Sequence, residues 1–209
     1  MRFKILLILL ALPVISFAQL RSLSFKLGVY TPYDLKTGII YGADYGTIID
    51  DHITFMIGAD LYYKDITNES YLSSSEKLGV KIRSGQRMSE WVAWHFPLTG
   101  KIRVEFPMQK SPVYPYVVAG IGYGITHVSY STYNNYSERP DENSLTYHGV
   151  VWQLGGGILY NIGPNTDLLL EVMHNSADFE KEEGFNQFSA LNSSGVIMRV
   201  GVHFAFRRF

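Results

Sequence analysis

One short stretch of this 209-residue chain carries the residue types of a hydrolytic site: His174-Asn175-Ser176. A Ser hydroxyl becomes a competent nucleophile when an imidazole takes its proton, and the imidazole works best when a carboxylate orients it. With one residue between them, His174 and Ser176 fall on the same face of an extended strand. The acids within reach along the chain are Glu180, Glu182 and Glu183, which serve only if the segment after Ser176 folds back. Such a trio performs ester hydrolysis through an acyl-enzyme. The plainer reading is a polar pair at the point where a strand leaves an apolar environment, and no catalytic residue is assigned. His95 reads as a hydrogen-bonded filler, because no neighbouring spacing fits a metal site. Gly120, Gly122, Gly124, Gly155 and Gly157 never form a Gly-x-Gly-x-x-Gly turn ahead of a helix, so they read as room for close strands and large side chains. No metal and no cofactor is expected.

These residues must be held by something, and the N-terminus says where it is built. Arg2 and Lys4, an apolar run over residues 5–15 and the small-residue pattern Ser16-Phe17-Ala18 form the three parts of an export signal. The expected division is a cleaved signal peptide, residues 1–18, and one domain, residues 19–209. The apolar run falls short of the roughly eighteen residues a membrane helix needs, and no later segment approaches that length. Cysteine is absent, which excludes disulfides, thiolate metal sites and a lipidated N-terminal Cys. Loss of Arg2 and Lys4 leaves 16 basic residues against 19 acidic ones. A mildly acidic chain without a basic stripe argues against a nucleic-acid partner. The 15 Tyr, 12 Phe and 19 Gly suit strands and interfacial aromatics better than helices.

Alternation with a period of two then runs through the chain. At the C-terminus Val196, Met198, Val200, Val202, Phe204 and Phe206 oppose Arg199, Gly201, His203, Ala205 and Arg207. Near the start, Leu23, Phe25, Leu27 and Val29 oppose Ser24, Lys26, Gly28 and Tyr30. Further strands are expected over residues 37–49, from residue 53 past Leu61, and over 90–106, 114–130, 146–161 and about 167–172. In each, charged residues share one face: Asp44, then Asp60 and Lys64, then Lys101, Arg103 and Glu105, then Asp167 and Glu171. Pro97 removes a ladder donor in mid-strand, which predicts a bulge.

Eight such strands make an even set, and their connections alternate. Residues 67–87, 131–145 and 177–194 read as long loops, whereas 50–52 and 163–166 read as tight turns. Long loops at one end and short turns at the other is the arrangement of bacterial outer-membrane barrels. The fold expected is therefore all-β, an eight-stranded antiparallel up-and-down transmembrane β-barrel. Closure follows because lipid leaves no sheet edge unpaired, and at eight strands side chains fill the interior. Lys26, Lys64, Lys101, Arg103 and Arg199 are expected to pair there with Asp44, Asp60, Glu105, Asp167 and Glu171. A filled interior disfavours solute passage.

Taken together, these segments resemble the small eight-stranded outer-membrane β-barrel proteins, porin-like barrel domains, over the whole mature chain. Carrying the resemblance most strongly are Phe96-Pro97-Leu98, the run from Tyr114-Pro115-Tyr116 to Gly122, and the Gly-rich sixth strand. It implies residence in the outer membrane of a Gram-negative envelope, insertion by the barrel-assembly machinery, contact with outer-membrane lipids and lipopolysaccharide, and a monomer. Phe209 departs from the terminal aromatic of these proteins by standing out of register with Phe206. His174-Asn175-Ser176 is similar to the His-x-Ser motif of the lipid A 3-O-deacylases, which implies His174 as base and Ser176 as nucleophile, although Ala177-Asp178 stands where that family has Asn-Ala. The leading expectation is a non-enzymatic barrel with a structural or surface-interaction role through its long loops. The alternative is a lipid A deacylase. The loop at 131–144 has the Tyr and Asn content of a contact surface, in Tyr133, Asn134, Asn135 and Tyr136 with Glu138, Arg139 and Asp141.

Overall fold

A computed structural model describes residues 21–50, 52–77, 80–108, 111–132, 141–180 and 190–206. Its strands, in chain order, are β1 (Arg21–Pro32), β2 (Gly38–Asp50), β3 (Ile53–Lys77), β4 (Val80–Glu105), β5 (Val113–Thr132), β6 (Asp141–Gly163), β7 (Thr166–Ser176), β8 (Asp178–Glu180), β9 (Ala190–Asn192) and β10 (Gly195–Phe206). Eight of them close into a barrel in the order β1-β10-β7-β6-β5-β4-β3-β2, and β8 pairs with β9 apart from it. Every pairing is antiparallel, and β1 meets β10 over its whole length, from Arg21 opposite Phe206 to Pro32 opposite Gly195. The fold is the all-β, eight-stranded antiparallel barrel that the alternation predicts.

The two faces separate as the two-residue period requires. Phe25, Ile121 and Met198 are more than half exposed on the outside, while Lys101, Asp60 and Arg199 are buried within. A water-soluble protein inverts this arrangement, since large contiguous apolar patches rarely face water. Arg199, Gly201 and His203 of the C-terminal strand point inward, and Val196, Met198 and Val200 point out. Close packing inside depends on missing side chains at certain points. A Cβ on Gly124 would meet the Phe179 ring at 3.1 Å and His95 at 3.2 Å, so the glycine is what lets both rings share one level of the lumen.

Three expectations change. Much of residues 67–87 and 131–145 is strand, because β3 and β4 run on to Lys77 and Val80 and β5 and β6 to Thr132 and Asp141. Polar sequence there reflects a ladder standing outside the apolar band, where both faces tolerate Ser, Thr and Asn. Pro97 produces no bulge. It holds register opposite Gly124 of β5. On the β3 side the Ala59–Leu98 and Tyr62–His95 pairs flank an unbridged gap of equal length on both strands, so the missing N–H interrupts the ladder without shifting it. Finally, residues 177–194 carry the β8–β9 hairpin. The expected signal peptide at 1–18, the loop tip at 133–140, Glu182, Glu183 and the terminal Phe209 lie outside the described residues.

Candidate functional site

Inward-facing positions on β1, β2, β3, β4, β7 and β10 bring six charges to the middle of the lumen: Lys26, Asp44, Asp60, Lys101, Glu171 and Arg199. Each sits there because its strand parity leaves it no other face. Lys26 contacts Asp44 and lies 3.1 Å from Glu171 Oε1. Lys101 Nζ stands 2.9 Å from Asp44 Oδ1 and 3.5 Å from Asp60 Oδ2. Arg199 donates from Nε to Glu171 Oε1 at 2.5 Å and from Nη1 to Asp60 Oδ1 at 2.6 Å. Three bases meet three acids, each acid touching two bases, which is the geometry that makes buried charge tolerable. Neutral groups fill the remaining valences. Tyr116 donates to Glu171 Oε2 at 2.9 Å, and Gln153 donates to Asp60 Oδ2 at 3.3 Å and to Asn175 Oδ1 at 3.1 Å.

The predicted pairing set is thus largely brought together, with Arg103 on Glu105 at 2.8 Å nearer the turn end. Asp167 belongs elsewhere, accepting from Asn161 Nδ2 at 3.0 Å beside the β6–β7 turn. His95 is buried and hydrogen-bonded, its Nδ1 2.8 Å from Thr126 Oγ1. Among the described residues no three His, Asp or Glu side chains converge as a metal site would require.

A Ser–His contact does occur in the lumen, between residues that sequence reasoning did not join: Ser24 Oγ lies 2.9 Å from His203 Nδ1. The two stand directly opposite in the β1–β10 closure, a pairing visible only once the barrel shuts. Arg103 Nη2 lies 3.0 Å from the other ring nitrogen, Nε2. Guanidinium nitrogens only donate, so Nε2 supplies the lone pair and Nδ1 carries the proton. That proton is donated to Ser24 Oγ, the reverse of what a general base offers a nucleophile. Buried as well, the pair acts as structural filling.

Above the charges, the segment after β7 folds into the mouth. Phe179 is fully buried, its ring 5.8 Å from that of His95. Tyr30, on the lumen wall, donates to the Ser193 carbonyl and accepts from Asn175 Nδ2 at 2.9 Å. Backbone bonds fasten the hairpin, from Ser193 N to Ala177 O at 2.8 Å and from Tyr33 N to Ser194 O at 2.8 Å. Charge below and an aromatic wedge above close the barrel twice.

His174 and Ser176 lie on the outward row at the hairpin end of β7, half-buried. The His174 ring packs at 5.5 Å against Trp152 of β6. Among the described residues no hydrogen bond joins His174 to Ser176 or to a carboxylate, and the side chains of Asp178 and Glu180 lie outside that description.

A closed antiparallel barrel that is apolar outside and charged within is a transmembrane β-barrel. The sequence model of the outer membrane protein beta-barrel domain matches residues 5–204, so the chain belongs to that family and is an outer-membrane protein. Comparison with curated proteins finds no match. Among solved structures, Neisserial surface protein A (NspA) superposes with a TM-score of 0.54 at 14% identity, covering 90% of this chain and 98% of that one. Ail, the attachment invasion locus protein of Yersinia pestis, gives 0.51 at 11% identity over 91% and 100%. A major outer membrane protein from Thermus thermophilus gives 0.51 at 13% over 89% and 99%. At these identities the likeness concerns the fold alone.

Proposed function

We propose that this protein is a non-conducting outer-membrane barrel whose work is done by strands standing above the membrane on the side of the long connections. The carrying observation is the difference in strand length around the barrel. β3, β4, β5 and β6 have 25, 26, 20 and 23 residues, whereas β1, β2, β7 and β10 have 12, 13, 11 and 12. A membrane crossing takes about 9–11 residues, so the short set spans and the long set rises well beyond. The last β2–β3 pair is Ile39–Tyr63 and the last β4–β5 pair Ser89–Thr132, so the top of the wall is a β3–β4 ribbon with both edges unpaired among the described residues. Free strand edges offer main-chain hydrogen bonds to a partner, which suits a surface-interaction role. The test is a chain with residues 68–87 replaced by a short turn. It is expected to keep the heat-dependent mobility shift of a folded barrel and to lose attachment to surfaces or ligands that the full chain supports. Undiminished attachment would move the role away from the ribbon.

A second reading, hydrolysis of an ester-linked acyl chain of lipid A with Ser176 as nucleophile and His174 as base, is favoured by one observation. Both side chains share the outward row at the level where the apolar band of β7 ends. Mass spectrometry of lipid A from cells expressing the protein is the test, with loss of one acyl chain expected for the natural chain and none for Ser176→Ala.

A further inference from the structure

The ladder between β2 and β3 ends at Ile39–Tyr63, while β3 continues to Lys77, so the edge of β3 that β2 covers lower down stands open from Lys64 upward among the described residues. Over Lys64–Asn68 the pairing of β3 with β4 keeps a regular register, and the first irregularity falls after Asn68. The foot of this regular edge is blocked. Gly38 begins β2 there, and a Cβ on it would meet the Tyr62 ring at 2.6 Å, the Tyr63 carbonyl at 2.8 Å and Lys64 Cβ at 3.1 Å. The β1–β2 connection leaves the edge above Gly38 uncovered, because Leu35 packs against the core and the Lys36 carbonyl accepts from Tyr62 Oη at 2.5 Å.

Two cations stand at that foot, Lys36 on the connection and Lys64 on β3. Among the described residues neither has a carboxylate partner, whereas the lumen bases Lys26, Lys101, Arg103 and Arg199 all do. The acids nearest in the chain are placed otherwise: Asp34 Oδ2 accepts from Asn192 N at 2.7 Å, and Asp65 takes the face of β3 opposite to Lys64. We propose that the β3 edge captures the C-terminal segment of a partner protein, its last residues adding as a strand and its terminal carboxylate lying at Lys36 and Lys64. This names the partner of the ribbon and rests on the surface role proposed above.

Direction and charge agree. Every pairing in the barrel is antiparallel, so a strand added to β3 above β2 runs the same way as β2 and arrives at Gly38 with its C-terminal end. Gly38 occupies the line beyond, so the added segment has to stop there. A strand added the other way would bring an N-terminal ammonium to two lysines, and like charges repel. Main-chain hydrogen bonds along an edge supply affinity with little reading of side chains, and a captured carboxylate fixes which end of the partner is read.

The full chain, folded in detergent and immobilised, is offered a pool of short random peptides ending in a free carboxylate and the same pool ending in amides. The carboxylate pool is expected to be retained at least about tenfold better, the worth of one hydrogen bond to a charged group. The double variant Lys36→Gln, Lys64→Gln is expected to lose that preference with its heat-dependent mobility shift intact, and Lys36→Arg, Lys64→Arg to keep it. Equal retention of the two pools, retention of neither, or an unchanged preference in the Gln variant would overturn the proposal. If peptides retained equally still depend on residues 68–87, the surface role of the ribbon stands without capture of a C-terminus; attachment that persists without those residues removes both.

Discussion

At the scale of single residues, the lumen shows how a charge inside a membrane protein is made tolerable by count and placement. Glu171 touches both Lys26 and Arg199, so its loss takes one of two acidic partners from each and leaves three buried cations facing two acids. Glu171→Gln is expected to destabilise the barrel by about 3–5 kcal/mol, the cost of breaking a buried pair from one side. Adding Lys26→Met should recover most of it, because Asp44 and Asp60 then face Lys101 and Arg199 in equal number. Urea unfolding from lipid vesicles measures both, and additive losses in the double variant would show that the charges act independently. That the six charges share one face was legible from parity, since a strand residue has two faces and the apolar neighbours claim one, and the alternation of long and short connections made that face the inner one. Which base meets which acid was not, because those contacts cross the lumen between strands distant in sequence. Ser24 and His203, 179 residues apart, make the same point.

At the scale of elements, legibility ended where the environment stops discriminating between faces. Within the apolar band every strand had its register readable, and β10 and β4 most clearly. Above it, residues of β3 and β4 read as loop because water on both sides removes the alternation, although the ladder continues from Asn68–Ser89 to Lys77–Val80. The β8–β9 hairpin was hidden for another reason: three-residue strands carry no period, and only Phe179 signals burial. That hairpin and the charge cluster close the same barrel at two levels, so removing one should leave the other. Replacing residues 178–192 with a short Gly-Ser turn is expected to leave planar-bilayer currents at baseline, as for the natural chain, while lowering thermal stability. Phe179→Ala alone should cost about 3–5 kcal/mol, the range for emptying a buried aromatic site. Discrete currents in the hairpin variant would show that the charges do not seal the lumen.

At the scale of the whole molecule, the barrel is lopsided, a short half of β7, β10, β1 and β2 set against a tall half of β3 to β6. This asymmetry makes its orientation testable with a protease that cuts after Lys and Arg. Lys26, Lys101, Arg103 and Arg199 are buried in the lumen and cannot thread a protease active site while the barrel stands. Lys77 and Lys81 flank the connection at the top of the wall, and Lys110 lies in the β4–β5 connection at the opposite end. Exposed connections are where proteolysis concentrates. With the tall wall outward, trypsin added to intact cells should cut at Lys77 or Lys81 and spare Lys110, and the fragments should migrate together until heated. Cleavage at Lys110 in intact cells, with Lys77 and Lys81 spared, would place the short turns outside and remove the wall from the surface. A single digestion therefore bears directly on the surface role, because that role depends on which way this uneven cylinder stands in the membrane.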